Sequence, residues 1–338
     1  MIVSLPDSPQ AIADATWSDL QPLYEALATA PLDDPKAWLL EWSKLEEIVE
    51  EAGTLAMIAY TCDTADPAKE AANLRWSSEI FPQALEMQVR LAKRLVESGY
   101  SEPGLEVTLK GFRSDIEIFR EENVPIFSEL ETHVAGYQKI TGGLTVDWNG
   151  ETKTVPQLQP FLKDRDRSVR EKAFRLGAEA YLVHRDEMAR LFDEMYAKRQ
   201  QVAQNAGFAD FQAYAFRSKH RFDYTPDDCA SFHRAVEATV APAVERLMEH
   251  RRRVLGIDVV RPWDTQIELA DARALKPFSD VAGLIGPARR MFQNIDPELG
   301  AQFGKMADEG LLDLESRPGK ALGRGIRPQG AMAHDLRR

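Results

Sequence analysis

Asp34-Pro-Lys-Ala-Trp38-Leu-Leu-Glu-Trp42-Ser-Lys-Leu45-Glu-Glu-Ile48-Val49 sets large apolar side chains three and four residues apart behind an Asp-Pro start. That period belongs to the α-helix, so Trp38, Trp42, Leu45, Ile48 and Val49 form one stripe that has to be packed on a partner. Glu46, Glu47, Glu50 and Glu51 are expected on the opposite, wet face. The helix should run from Pro35 to about Thr61. Tryptophans one turn apart can frame a ligand, but a stripe that continues in aliphatics reads as core. The next segment, 67–98, offers Leu74, Phe81, Leu85, Leu91 and Leu95 and contains Pro82, which predicts a bent helix lying antiparallel to the first.

The Asp-Pro punctuation recurs at Asp66-Pro67 and Asp296-Pro297, and as Thr225-Pro226. Each places a capping oxygen ahead of a proline whose missing N–H costs nothing in the first turn. Thr225-Pro-Asp-Asp228 reads as a capping box with Asp in the position of the usual Glu. Gly99, Gly256 and Gly310 stand where helices should stop. Further helices are expected over about 167–206, broken near His184, and over 209–219, 226–255, 280–293 and 297–309. One β element interrupts them: Leu144-Thr-Val-Asp-Trp148 and Glu151-Thr-Lys-Thr-Val155 alternate on either side of Asn149-Gly150, the dipeptide best suited to a two-residue hairpin turn. The chain reads as mainly α, a multi-helix N-terminal domain with a small β-hairpin followed by more helices.

Composition narrows the function. Apolar residues make up 44% of the 338 and charged residues 28%, an ordinary globular balance. The longest uncharged run, 52–62, is eleven residues, too short to span a bilayer, and no secretory signal is visible at the N-terminus. Cys62 and Cys229 read as free thiols of a reducing, cytoplasmic compartment. The net charge of −12 is concentrated in residues 1–100, where 17 acidic side chains face 7 basic ones. Nucleic-acid binding usually needs a basic face, and the short cluster Arg251-Arg252-Arg253 is better explained as cations at a helix C-terminus. Neither a nucleic-acid partner nor a membrane is expected.

Common catalytic signatures fail on inspection. Gly319-Lys320 is followed by Ala321, so a phosphate loop would lack its magnesium-binding hydroxyl, and Gly323-Arg-Gly325 lacks the third glycine of a dinucleotide fingerprint. No Glu-x-x-His pair exists for a helical di-iron centre, and no Gly-x-Ser-x-Gly elbow for a serine hydrolase. His184 with Glu187 and His233 with Glu237 share helix faces, as metal ligands would, but single pairs on charged helices read first as surface ion pairs.

Several segments resemble the oligoendopeptidase F branch of the thimet-oligopeptidase-like zinc peptidases. They are Phe119-Arg-Glu-Glu-Asn-Val-Pro125, the hairpin around Trp148-Asn149-Gly150, Arg221-Phe-Asp-Tyr-Thr-Pro-Asp-Asp228, Arg261-Pro-Trp-Asp264 and Gly310-Leu-Leu-Asp-Leu-Glu-Ser-Arg-Pro-Gly-Lys320, in family order. The resemblance implies a zinc metalloendopeptidase that hydrolyses short peptides, with residues after 207 forming the first helical part of a zincin-like catalytic domain. In the family, zinc is held by a His-Glu-x-x-His helix and a further Glu, and the motif Glu activates water.

This sequence departs from the pattern at Leu322, where Pro-Gly-Gly-Tyr is expected, and contains no His-Glu-x-x-His. No catalytic, cofactor-binding or metal residue is therefore assigned, no zinc is expected on this chain, and it is expected to be inactive as a truncated peptidase. The resemblance divides it into an N-terminal helical segment (1–118), an oligoendopeptidase-like domain (119–206) holding the hairpin 144–155, an incomplete catalytic domain (207–320) and a non-family, disordered tail (321–338) attributed to a shifted reading frame. Stripes such as Leu284, Ile285, Met291 and Phe292 would then lack partners, and self-association through exposed apolar helices is expected. The competing reading is a helical adaptor or scaffold without catalysis.

Overall fold

The computed structural model describes residues 4–269 and 277–321; the tail from Leu322 onward lies outside the described residues. In chain order the elements are α1 (Trp17–Thr29), α2 (Pro35–Cys62), α3 (Pro67–Leu74), α4 (Phe81–Glu97), α5 (Glu106–Ile118), α6 (Val124–Gly143), β1 (Thr145–Trp148), β2 (Glu151–Thr154), α7 (Arg167–Leu182), α8 (Arg185–Asn205), α9 (Phe211–Ser218), α10 (Pro226–Ala235), α11 (Ala241–Leu255), α12 (Val281–Ile295) and α13 (Pro297–Asp308). The fold is mainly α with one two-stranded antiparallel sheet. Two compact units result. The first takes the described parts of 1–143, 184–240 and 321–338, the second those of 144–183 and 241–320.

In the first unit the stripe of α2 is core: Trp38, Trp42, Leu45 and Val49 are buried against Leu20, Tyr24 and Leu27 of α1, Leu91 and Leu95 of α4, and Phe112 of α5. Each fully buried leucine is worth about 1.5–3 kcal/mol. The Trp38 indole N–H donates to the Leu27 carbonyl at 2.9 Å, so the buried polar tip is satisfied. α2 and α4 are antiparallel in a definite register. Trp38 faces Arg94, Glu46 meets Gln88, and Gly53 lies under the Phe81 ring so closely that any added side chain would collide with it. A second cluster joins Ile118 and Ile126 to Val202, Ala203 and Tyr214.

Two expectations need correction. Glu46 is not on the wet face; it is buried in the core, because α1 and α4 close over that side of α2 as well. Segment 67–98 is not one bent helix either, since a π-helical turn, Arg75–Ile80, separates α3 from α4. Pro82 has no N–H to offer the carbonyl four residues back, and the turn widens so that the Phe81 N–H bonds Trp76 O instead. A second π turn, Val236–Val240, precedes Pro242 in the same way and divides the helix expected over 226–255.

The other local signals match the backbone. Asp34, Asp66, Thr225 and Asp296 accept from the N–H groups of their first turns, Thr225 and Asp228 form the reciprocal box, and Gly99, Gly256 and Gly310 have positive φ at helix ends. The expected break near His184 is present, with α8 starting just after it.

In the second unit the hairpin pairs Thr145 with Thr154 and Trp148 with Glu151 across Asn149 (φ 59°) and Gly150 (φ 87°). Val146, Trp148, Leu158, Leu162 and Ala173 form its core, and Trp148 stacks on Phe161 with ring centres 4.3 Å apart. Replacing Gly150 by Val forces a β-branched residue into the left-handed region, at a cost of about 1–2 kcal/mol. The expected outcome is faster amide exchange at Val146 and Thr152 in G150V, measured by hydrogen exchange with α2 amides as the internal reference.

Candidate functional site

Polar groups of the second unit converge on Asp264, whose side chain is 0% exposed. Pro262 starts the short 3-10 turn Pro262–Asp264, and the Arg261 N–H donates back to Asp264 Oδ2 at 2.9 Å, fixing the carboxylate's direction. α7 presents two arginines on one face, three residues apart. Arg167 is bidentate, Nε to Oδ1 at 3.0 Å and Nη2 to Oδ2 at 2.8 Å, and Arg170 Nη2 reaches Oδ1 at 2.9 Å. Arg170 also donates to the carbonyls of Trp263, Asp164 and Arg165, which explains how a guanidinium can be buried. From α11, Arg251 donates to the backbone oxygens of Asp264 and Ile267 at 3.0 and 2.7 Å. The basic cluster 251–253 is thus bound internally, with Arg252 held by Glu249 and the Ile257 carbonyl.

Burial alone would raise the Asp264 pKa, but the hydrogen bonds from Arg167, the Arg261 N–H and Arg170 outweigh it and hold the group at about 2. An ionised carboxylate whose two oxygens are filled by these donors is poorly placed to act as a base. Its chemistry is that of a clamp. The segment after Gly310 is tied to the hairpin end: Ser316 Oγ lies 2.8 Å from Thr154 Oγ1, and Gln157 donates to the Ser316 carbonyl at 3.2 Å.

The histidines are engaged separately. His184 Nδ1 lies 3.1 Å from Glu187 Oε2 on the surface of α8, whereas His233 and Glu237 are both exposed and His233 has its ring beside Phe232. His133 Nε2 is 3.3 Å from Glu194 Oε2, between α6 and α8. His220, a non-glycine residue at φ 51°, has Nε2 2.7 Å from Asp115 Oδ1 while its ring rests against Gly111. Burial raises the Asp115 pKa and the bond to His220 opposes that shift. Neither this pair nor the Asp264 cluster is legible in the sequence: Arg261-Pro-Trp-Asp264 is a recognisable segment, but its arginine partners lie some 95 residues earlier in the chain.

Zinc needs three or four N, O or S donors converging at about 2 Å. Among the described residues no group of three or more His, Cys, Asp or Glu side chains is gathered to do this. The described residues therefore do not fit a catalytic zinc.

Asp264→Ala should destabilise the second unit by about 3–5 kcal/mol, because Arg170 is left buried and uncompensated. The sign of the pH effect follows from a depressed folded-state value. The ion-pair stability is present above about 3.8 and is lost as pH falls toward 2. Urea unfolding between pH 5 and pH 2 should show this loss in the wild type and a flatter profile in Asp264→Asn.

Comparison with known proteins places these observations. A model described as Peptidase M3 N-terminal domain matches residues 13–109, and one described as Peptidase family M3 matches residues 161–323. A structure assigned as oligoendopeptidase F from Bacillus anthracis aligns with a TM-score of 0.84 at 20% identity, covering 90% of this chain and 57% of that one. PZ peptidase A, solved with an inhibitor, aligns at 0.82 and 20% identity over 96% of this chain and 57% of its own. Oligoendopeptidase-F from Enterococcus faecium aligns at 0.60 and 16% identity, covering 92% and 69%. No match was found among curated proteins. At such identities the structural likeness speaks for the fold, and the chain spans 57% of the first two of these structures. Two models of one family follow each other along the sequence, over residues 13–109 and 161–323, and on that ground this chain belongs to peptidase family M3.

Proposed function

We propose that the chain is the helical scaffold part of an oligoendopeptidase-type zinc peptidase, acting in the cytoplasm on short peptides in its intact form, and that these 338 residues do not hydrolyse peptides by themselves. The observation that carries the second half is the separation of the histidines: His184 and His220 are each bonded to a carboxylate of their own, and His133 lies 3.3 Å from Glu194. The sequence supports it further, since it encodes no His-Glu-x-x-His to supply a Lewis acid and a general base. The division at 118, 206 and 320 belongs to the same proposal.

The purified chain, incubated with stoichiometric zinc and a set of short fluorogenic peptides, should give no turnover above buffer. Chelator-sensitive cleavage would defeat this reading, whereas bound zinc without cleavage would not.

The scaffold alternative has one observation in its favour. α11 carries Val244, Leu247 and Val254 exposed, α12 carries Met291 and Ile295, and α13 carries Leu299. Within the stripe expected to lack partners, Met291 and Phe292 are exposed and Leu284 and Ile285 are half-buried. Such apolar exposure favours association. Sedimentation velocity should show a weight-average mass that rises with protein concentration, and Leu247→Glu together with Ile295→Glu should reduce that rise; a wild type monomeric at every concentration would refute it.

A further inference from the structure

Glu46 sits inside the apolar core of the first unit, 2% exposed. Its Oε1 accepts from the Trp42 indole N–H at 2.8 Å, and its Oε2 from Gln88 Nε2 at 2.6 Å and from the Tyr24 hydroxyl at 3.3 Å. All three donors are uncharged. The charged groups on the surrounding helices are turned to other tasks. On α4, Arg90 is bonded to Glu25 of α1 at 3.0 Å, and Arg94 donates to the carbonyls of Leu27 and Ala30 while lying over Trp38. On α2, Glu50 lies one turn along and acts on Glu46 with the same sign of charge. α5 contributes Phe112, stacked on Trp42 at 5.1 Å. Among the described residues no cation is bonded to Glu46.

We propose that Glu46 is a proton-operated latch of the helical unit: α1, α2 and α4 close around a neutral carboxylic acid, and its ionisation loosens them. A carboxylate without a counter-ion is costly in an apolar core, and neutral hydrogen bonds offset only part of that cost. The neutral acid needs an acceptor for its own O–H. The Tyr24 oxygen can serve if the hydroxyl turns its proton elsewhere, and burial keeps that phenol neutral by raising its pKa. Burial is likewise the largest influence on Glu46, pushing it from 4.5 to about 7 against the bonds from Trp42 and Gln88, with the Glu50 charge adding to the rise. In the unfolded chain the group returns to its ordinary value. The folded state therefore holds the proton more tightly, and the stability linked to it is full below about 4.5 and lost as pH rises through about 7.

The test is urea unfolding of the full chain at pH 5 and pH 8, for the wild type and for Glu46→Gln. Glutamine keeps the size and, with the Gln88 amide turned over, the hydrogen bonds, but cannot ionise. The wild-type folding constant should fall on the order of 70-fold more than that of E46Q between the two pH values, histidine titration being common to both. Infrared spectroscopy gives a second readout. A protonated-carboxyl band should be present in the wild type at pH 6, fade by pH 8 and be missing from E46Q. Parallel pH profiles for the two proteins overturn the proposal. Should E46Q not fold, the wild-type infrared titration decides alone, and a band that disappears in the ordinary glutamate range overturns the proposal.

Discussion

A polar group taken out of water has to be matched at the place where it is buried, and among the described residues that constraint bears on two carboxyl groups, Glu46 and Asp264. They meet it in opposite ways. Asp264 recruits two guanidiniums and a backbone N–H to its oxygens, so the ion itself is the stable form, and α7, α11 and the 261–267 loop are fixed relative to it. Glu46 finds only neutral donors among α1, α2 and α4, so the environment that packs well around it disfavours its charge. Each unit thus contains a buried acid, and the protonation preference of each follows from which side chains its neighbouring helices happen to present.

Membership of the peptidase family is compatible with the finding that no metal ligands cluster among the described residues. The family matches cover residues 13–109 and 161–323, which include the loops at 261–267 and 310–320, where Asp264 clamps one loop and Thr154 holds the other at Ser316. Of the histidines, His220 is tied to Asp115 of α5, while His133 lies beside Glu194 between α6 and α8.

What the sequence by itself determined was local. Helix starts at Asp34, Asp66, Thr225 and Asp296, the turn at Asn149-Gly150 and the buried tryptophans of α2 follow from capping oxygens, positive φ and the 3.6-residue period, all of which act within a few residues. Only the tertiary structure decided the rest. Periodicity puts Glu46 beside other glutamates on a polar face, and nothing within its own helix reveals that α1 and α4 cover that face too. The prolines at 82 and 242 announce a disturbance, but whether a helix bends or widens into a π turn depends on what it must stay packed against. Asp264 meets Arg167 and Arg170 across more than 90 residues of chain. A contact at that separation leaves no spacing rule to read, because its geometry exists only after the intervening helices have folded.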